Sequence, residues 1–432
     1  MKLGFIAVSG LRLCDAPLLE LGLSFPDVAN RAREIQALPS LGLLTLAGMT
    51  PPDIEVEYHE VRDLDGLPHF DAVALSTLTA TAKEAYRMAA RFRAMGTKVI
   101  LGGLHATLAP DEAARHVDAL VIGEGEVVWP KVIEDLRNHR LQPIYDARPH
   151  GPFDLAKSPM PRFDLLKPDR YPRFTVQTQR GCPLACEFCA ASMRLSPKFR
   201  VKPVERVIAE VRRIKELFRR PFIEFADDNT FADKSHGKEL MRALAKERIR
   251  WFTETDVSVA DDGELLALMR RAGCRQVLIG FESPRADRLD GIELKSNWKS
   301  RRAGRYIEAV RTIQRHGITV NGCFIVGLDG DEQDCFEGIA EFVRESGLYD
   351  VQVTFLTPFP GTPLWERLKR EGRLLDESAT ERATLFDINF QPDRMTPAQL
   401  REGFENLIRK LYDPDAVATR ERRFREGIAR RP

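Results

Sequence analysis

Three thiols stand at Cys182, Cys186 and Cys189 in a C-x3-C-x2-C arrangement, within the run Arg180-Gly181-Cys182-Pro183-Leu184-Ala185-Cys186-Glu187-Phe188-Cys189. They follow a short apolar strand, Phe174 to Val176, and a loop with glycine and proline, so they can converge on one soft metal site. Thiolates select iron–sulfur clusters, zinc or Cu(I). A structural zinc site closes with four ligands, and the next Cys or His along the chain are His236 and Cys274. A [4Fe-4S] cubane is normally held by four thiolates, so three leave one iron open to a small molecule. Zinc with a distant fourth ligand, or three unrelated buried cysteines, are the competing readings of the same residues.

With the aromatic Phe188 just before the last cysteine, the motif resembles the signature of the radical S-adenosylmethionine (SAM) superfamily. The resemblance implies that Cys182, Cys186 and Cys189 hold a [4Fe-4S] cluster whose open iron chelates the amino and carboxylate groups of SAM, with Phe188 near the adenine. The motif carries this meaning in the loop after the first strand of a βα barrel, so the flanking chain must supply one.

Residues 173–370 alternate strand and helix patterns. Strands are expected at Phe174–Val176, Phe222–Ala226, Trp251–Thr255, Val277–Phe281, Thr319–Val326 and Val351–Leu356, with helical spacing between them. Six βα units predict a partial (β/α)6 barrel rather than a closed eight-stranded one. Barrel chemistry sits at the carboxyl ends of the strands, which here carry Asp227-Asp228-Asn229, Asp256, Glu282-Ser283, Gly327-Leu328-Asp329-Gly330 and the Pro358–Pro363 segment. Each alone reads as a cap or turn; together they ring one mouth. By resemblance, Asp227, Asp228 and Asn229 match the segment whose backbone grips the SAM amino group, Glu282 matches a polar residue facing SAM, and the segment with Ile325 and Gly327 lines the adenine. The family's usual Gly-Glu at the second strand is Asp227-Asp228 here, and its glutamate after the fifth strand is displaced to Glu332.

Residues 1–140 predict a doubly wound, Rossmann-like α/β domain with a parallel sheet. Strands are expected at Leu3–Val8 (within a strand-like run reaching Gly10), Ile54–His59, Ala72–Ser76, Val99–Leu101 and Ala119–Ile122; several are continuous apolar runs, as sheets covered on both faces require. Ligands of such sheets lie beyond the strands' carboxyl ends, where the chain places Ser76-Thr77, Gly102-Gly103 with His105, and Gly123-Glu124. Glycines there admit close backbone approach and hydroxyls offer hydrogen bonds, although the same residues also make ordinary turns. The combination resembles the cobalamin-binding domain that precedes many radical SAM cores. It implies a corrin contacted by Ser76, Thr77, Gly102, Gly103, His105, Gly123 and Glu124. The D-x-H-x-x-G motif that supplies a histidine to cobalt is missing, so cobalamin is expected without a protein histidine ligand.

Residues 141–172 hold seven prolines and predict an extended linker. Residues 371–432 predict a small helical C-terminal extension, with a helix over Pro397–Tyr412 and an arginine-rich end from Arg420 to Arg431 read as a solvated helix end. The extension is similar to one in hopanoid methylase-like cobalamin-dependent radical SAM proteins.

Hydrophobic residues make up 43% of the 432 and charged residues 30%, enough for real cores beneath a polar surface. A net charge of +1 gives no electrostatic reason to expect nucleic acid. No apolar run approaches the ~18 residues needed to span a bilayer, leaving peripheral membrane contact as the open alternative. Cys14, Cys274, Cys323 and Cys335 are scattered singly, which suits a reducing, cytoplasmic compartment. Taken with the resemblance, the chain is expected to be a cobalamin-dependent radical SAM enzyme, a methyltransferase acting on an unactivated carbon of a small molecule. Flavodoxin or ferredoxin would supply electrons. The alternatives are a radical SAM oxidoreductase, cyclase or rearranging enzyme without methyl transfer, and a metal-binding regulatory protein.

Overall fold

The computed structural model describes residues 1–8, 13–61, 64–196 and 198–429. Ser9 and Gly10, at the end of the expected first strand, and Arg430 and Arg431 of the basic tail lie outside the described residues.

The first lobe is a parallel sheet of β1 (Lys2–Val8), β2 (Glu55–Val61), β3 (Ala72–Ser76), β4 (Lys98–Gly102), β5 (Ala119–Ile122) and β6 (Ile144–Asp146), in the order β2-β1-β3-β4-β5-β6. Alternate residues of one strand enter different cores. Leu3, Phe5 and Ala7 of β1 pack with Leu43, Leu44 and Trp129 on one face, while Ile6 joins Val73, Leu75, Ala85 and Phe92 on the other. Both faces are thus covered, which is why these strands read as unbroken apolar runs. The strand order reverses between β1 and β3, the topological switch point of doubly wound folds.

Residues 144–146 are not linker but the sixth strand, paired parallel to β5. Only Tyr145 of the three is buried, and Pro143 stands just before it, a position a sheet edge tolerates. So short a strand, half exposed, leaves no periodic signal.

The second lobe is also parallel: β7 (Phe174–Val176), then, after the short antiparallel pair β8 (Gln179–Arg180) and β9 (Arg200–Val201), β10 (Phe222–Phe225), β11 (Arg250–Thr255), β12 (Cys274–Glu282), β13 (Thr319–Val326) and β14 (Asp350–Phe355). The order β7-β10-β11-β12-β13-β14 leaves β7 and β14 unpaired with each other, so the barrel is partial, as the six βα units predict. Trp251, Thr253 and Thr255 are buried toward the helix layer, which puts Phe252 and Glu254 on the lumen side.

The gap between β7 and β14 is spanned by helix Pro26–Gln36, an element absent from the sequence reading. Its Arg31 pairs with Asp350 and donates to the Val351 carbonyl at 3.1 Å, at the foot of β14. Its Glu34 pairs with Arg173 before β7, and the Thr175 hydroxyl donates to the Pro39 carbonyl at 3.3 Å. Arg173 also lies over the Phe252 and Phe222 rings.

The extension crosses between the lobes. Asp387 accepts hydrogen bonds from the backbone of Cys14 and Asp15, both at 2.8 Å, while the Leu385 carbonyl accepts from Phe355 N at 2.8 Å on the free edge of β14. Helix Pro397–Tyr412 starts with a Thr396–Gln399 capping box. Arg420, expected at a solvated end, is 7% exposed and donates to the Leu411 carbonyl at 2.6 Å, closing that helix's last turn. No helix among the described residues is long and apolar enough to cross a membrane.

Arg31 and Asp350 are each only 20% exposed, so Arg31→Ala strands a carboxylate. Chemical denaturation should show a loss on the order of 3 kcal/mol. The Arg31→Ala/Asp350→Ala double variant should lose less than the two singles summed; strict additivity would mean that the helix does not close the gap through this pair.

Candidate cofactor sites at the barrel mouth and the first-lobe crevice

The cluster loop leaves the barrel through the β8–β9 pair. Gly181 opens it at φ +80°, where a Cβ would lie 2.6 Å from the Ser196 carbonyl, so only glycine passes. Cys186 is buried and Cys182 and Cys189 half-buried. Burial pushes the Cys182 thiol up to about 11 and Cys186 to about 12; iron binding would therefore expel protons from these groups. Among the described residues no three His, Cys, Asp or Glu side chains converge on a single ion. Three thiolates on one loop are the soft donor set that an iron–sulfur cluster takes.

Two carboxylates hold the loop. Glu293, 2% exposed, accepts from the backbone of Ala185 (3.1 Å), Lys295 (3.1 Å) and Ser296 (2.9 Å) and from the Ser296 hydroxyl (2.7 Å). Burial alone would raise its pKa, but these donors outweigh it and hold the group at about 2. Glu187, inside the motif, takes Arg367 at 2.7 Å, and Arg367 also reaches Asp329 at 2.6 Å. The cluster loop is thereby tied to the loops after β12, β13 and β14.

At the strand ends, the Asn229 amide donates to Asp256 at 2.8 Å and lies 3.9 Å from the Cys182 sulfur. Asp228 is exposed at the mouth, Phe188 is partly buried, and Ile325 faces the lumen between buried Phe324 and Val326. Glu282 sits at a bulge of β12 with φ +61°, its carboxylate 2.7 Å from Lys299 Nζ. Asp227 is expected to act through its backbone, and its side chain is engaged elsewhere. The Asp227 side chain turns beneath the mouth and accepts from Thr178 N (2.8 Å), Gln179 N (3.1 Å) and the Thr178 and Thr230 hydroxyls (2.5 and 2.9 Å), so only its backbone is left for a ligand. Burial raises its carboxyl to about 6 against those donors. Gly327 is covered by Phe390 and Leu400 of the extension, each within 3.0 Å of where a Cβ would stand.

Three residues were missed in the sequence. Glu254 stands one residue before the carboxyl end of β11, on the strand face opposite Thr253 and Thr255; enclosure by protein, then the charges of Glu224, Asp228, Asp227 and Glu282, push its carboxyl up to about 8. A lone glutamate amid Trp251, Thr253 and Thr255 was the available signal. Glu293 and Lys299 lie in a stretch without periodicity. Lys299 is 6% exposed; burial opposes its charge, but Glu282 and then Cys186 hold its pKa above the usual lysine value.

Beyond the carboxyl ends of β3, β4 and β5 lies a crevice of about 270 Å³. Ser76, Gly102, Gly103, Gly123 and Glu124 line it from the first lobe, and Gln177, Arg180, Leu195 and Ala226 line it from the barrel mouth. Gly103 has φ +98°, and a Cβ there would lie 3.0 Å from Ser76 Oγ and the Thr77 carbonyl, so only glycine fits this turn at the crevice wall. Thr77 and His105 are not brought to this crevice. Thr77 is 2% exposed and shares a hydrogen bond with the Thr81 hydroxyl at 2.8 Å. His105 is fully buried with Nε2 2.8 Å from the Tyr86 hydroxyl, because the helix opening at Leu104 carries its side chain away from the strand ends.

Glu124 borders the crevice but its carboxylate is engaged. It pairs with Arg200 and accepts from Phe153 N at 2.7 Å and the Ser196 hydroxyl at 3.2 Å, with Arg180 3.6 Å away. Burial would raise its pKa, but Arg200 and Arg180 outweigh this and hold it low. Neighbouring Glu126 takes Arg180 at 2.7 Å.

Residues 176–343 match the Radical SAM superfamily, residues 38–133 the B12 binding domain, and residues 362–432 a Domain of unknown function (DUF4070). An uncharacterized methyltransferase of Synechocystis is 31% identical over 89% of this chain and 73% of its own length. The bacteriochlorophyllide d C-12(1)-methyltransferase of Chlorobaculum tepidum is 29% identical over 88% of this chain and 84% of its own. The radical SAM methyltransferase TsrM of Kitasatospora setae, solved with cobalamin and a [4Fe-4S] cluster, superposes with a TM-score of 0.62 over 95% of this chain and 85% of that one, at 13% identity, a likeness of fold. The cysteine loop on a partial barrel, the glycine-lined crevice facing it and these relatives together place the chain in the cobalamin-binding methyltransferase branch of the radical SAM superfamily.

Proposed function

We propose that this protein transfers a methyl group to an unactivated carbon of a small-molecule substrate, using a [4Fe-4S] cluster, SAM and cobalamin. One observation carries the reading. The crevice beyond β3, β4 and β5 has the barrel mouth as its other wall, so groups held by the two lobes face each other across a shared space.

The donor sets suit these groups. Cys182, Cys186 and Cys189 would hold the cluster. Asn229, Glu282, Ile325, Phe188 and the backbone at Asp227 and Asp228 would bind SAM. Ser76, Gly102, Gly103 and Gly123 would carry the corrin. Bound there, the cluster with SAM supplies a hydrogen-abstracting 5′-deoxyadenosyl radical, and cobalamin supplies the methyl group. The chain's own work is placement. Asp227 fixes the backbone entering the cluster loop, Glu293 and Glu187 hold the loop itself, and Glu124 and Glu126 fix the first lobe against Arg200 and Arg180. Phe390 and Leu400 cover the mouth beside Gly327 and exclude water there. With His105 buried away from the crevice, cobalamin would bind without a protein histidine. A low-potential carrier, flavodoxin or ferredoxin, would deliver the electron.

Anaerobic reconstitution should load about four irons and four sulfides per chain, and joint replacement of Cys182, Cys186 and Cys189 by Ala should abolish loading and SAM cleavage to 5′-deoxyadenosine. An unchanged iron content in that variant would refute the cluster assignment. Gly102→Phe is the sharper test of the crevice, because residue 102 has an ordinary backbone conformation and its nearest neighbour to a Cβ is Val121 at 3.6 Å. The bulky ring should abolish cobalamin retention while leaving the iron load intact. In the unsubstituted protein the spectrum of bound cob(II)alamin should be unchanged by His105→Ala, since His105 is buried against Tyr86 and away from the crevice. Failure of that protein to retain cobalamin at all would remove methyl transfer and leave a radical SAM enzyme of another reaction.

A further inference from the structure

The chain from Ile292 to Lys299 touches two places that must stay in register. At one end it pairs with the cluster loop: Glu187 N donates to the Ile292 carbonyl at 2.9 Å, Leu294 N to the Ala185 carbonyl at 3.0 Å, and Cys186 bridges Glu293. Glu293 then binds Ala185 on one side and Ser296 and Lys295 on the other, so its carboxylate locks the segment's turn to the loop. At the other end Lys299 enters the barrel mouth. Its ammonium donates to Glu282 at 2.7 Å and to the Gly280 carbonyl at 2.8 Å, across the β12 bulge that gives Glu282 its positive φ. The Tyr306 hydroxyl donates to the Lys299 carbonyl at 3.1 Å and fixes the start of the helix behind it.

This arrangement asks why a buried lysine is there. Burying an ammonium is costly unless it is paired and hydrogen-bonded, and a strand bulge needs no cation to stabilise it. Lys299 engages the Oε1 atom of Glu282, the residue that ends β12 at the mouth. Lys299 closes the same segment that pairs with the cluster loop at Ala185–Glu187, so one element joins that loop to the carboxylate at the neighbouring strand end.

We propose that Lys299 is a positioning residue that aims Glu282 at SAM and, through the Ile292–Lys299 brace, keeps that carboxylate in register with the cluster at Cys186. This rests on the cluster and SAM reading above. Lys299 acts by holding Glu282, and its charge stands on the segment that pairs with the cluster loop.

The test uses the full chain with its reconstituted cluster and four proteins: unsubstituted, Lys299→Met, Glu282→Gln and the double variant. Lys299→Met should keep its iron load, weaken SAM binding by roughly tenfold or more, since a charged hydrogen-bonded partner is lost, and shift the cluster midpoint potential negative. A general packing defect would not move that potential. The double variant should bind SAM no more weakly than the poorer single, because Lys299 acts through Glu282. Should Lys299→Met fold poorly from its stranded carboxylate, the double variant removes both charges and restores the fold, and its potential should still lie below that of Glu282→Gln. Unchanged SAM affinity and potential in Lys299→Met, or fully additive losses in the double variant, would overturn the proposal. Absence of iron or SAM binding in the unsubstituted protein would instead refute the cofactor reading on which it stands.

Discussion

The ion cluster of Glu124 and Glu126 with Arg180 and Arg200 is the constraint on which the two-lobe arrangement depends. The glutamates stand just past β5, where the first lobe would receive a corrin; the arginines flank the cysteine loop, Arg180 two residues before Cys182. All four side chains are at most 17% exposed. Such a cluster is not an efficient source of stability, because desolvating the charges consumes most of their attraction. Its directional contacts do something an apolar patch could not: they set one sheet's strand ends against the other's at a fixed distance. A crevice walled by both lobes exists because of that fixed distance.

The same logic recurs closer to the cysteines. Asp227, Glu293 and Glu187 are buried carboxylates whose partners are the backbone or side chains of the loop and its neighbours, not solvent. Buried donors and acceptors must be matched, so each carboxylate specifies one arrangement of the loop. Ion pairs and apolar packing close the remainder. Helix Pro26–Gln36 spans the open edge of the barrel, and Phe390 and Leu400 of the extension cover Gly327, so that an incomplete barrel still encloses a lumen.

The fold was largely legible because its signals are periodic: six strand–helix alternations and apolar runs buried on both faces. The cysteine spacing was legible because three thiols at that separation have few uses. What escaped follows from the same physics. Helix Pro26–Gln36 and strand β6 are short or carry few apolar residues, and they are held by tertiary pairs that leave no local pattern. Thr77 and His105 sit at the right sequence positions after β3 and β4, but a residue's place after a strand does not fix where its side chain points, and both turn into the lobe. Asp227 reads as a strand-end acid, yet the bonds that bury it come from Thr230 three residues on and from Thr178 forty-nine residues back, and the second leaves no local pattern. Lys299 shows that a buried charge, here the cation holding Glu282, is visible in sequence only as a charged residue out of place.

The central claim is that the first-lobe crevice and the cysteine loop hold their cofactors face to face across one space. Electron paramagnetic resonance of the reconstituted protein, carrying reduced cluster and cob(II)alamin together, tests it directly. Two unpaired spins on opposite walls of one crevice should broaden or split each other's signals relative to protein carrying either centre alone. A spectrum that is the simple sum of the two separate signals would contradict the arrangement.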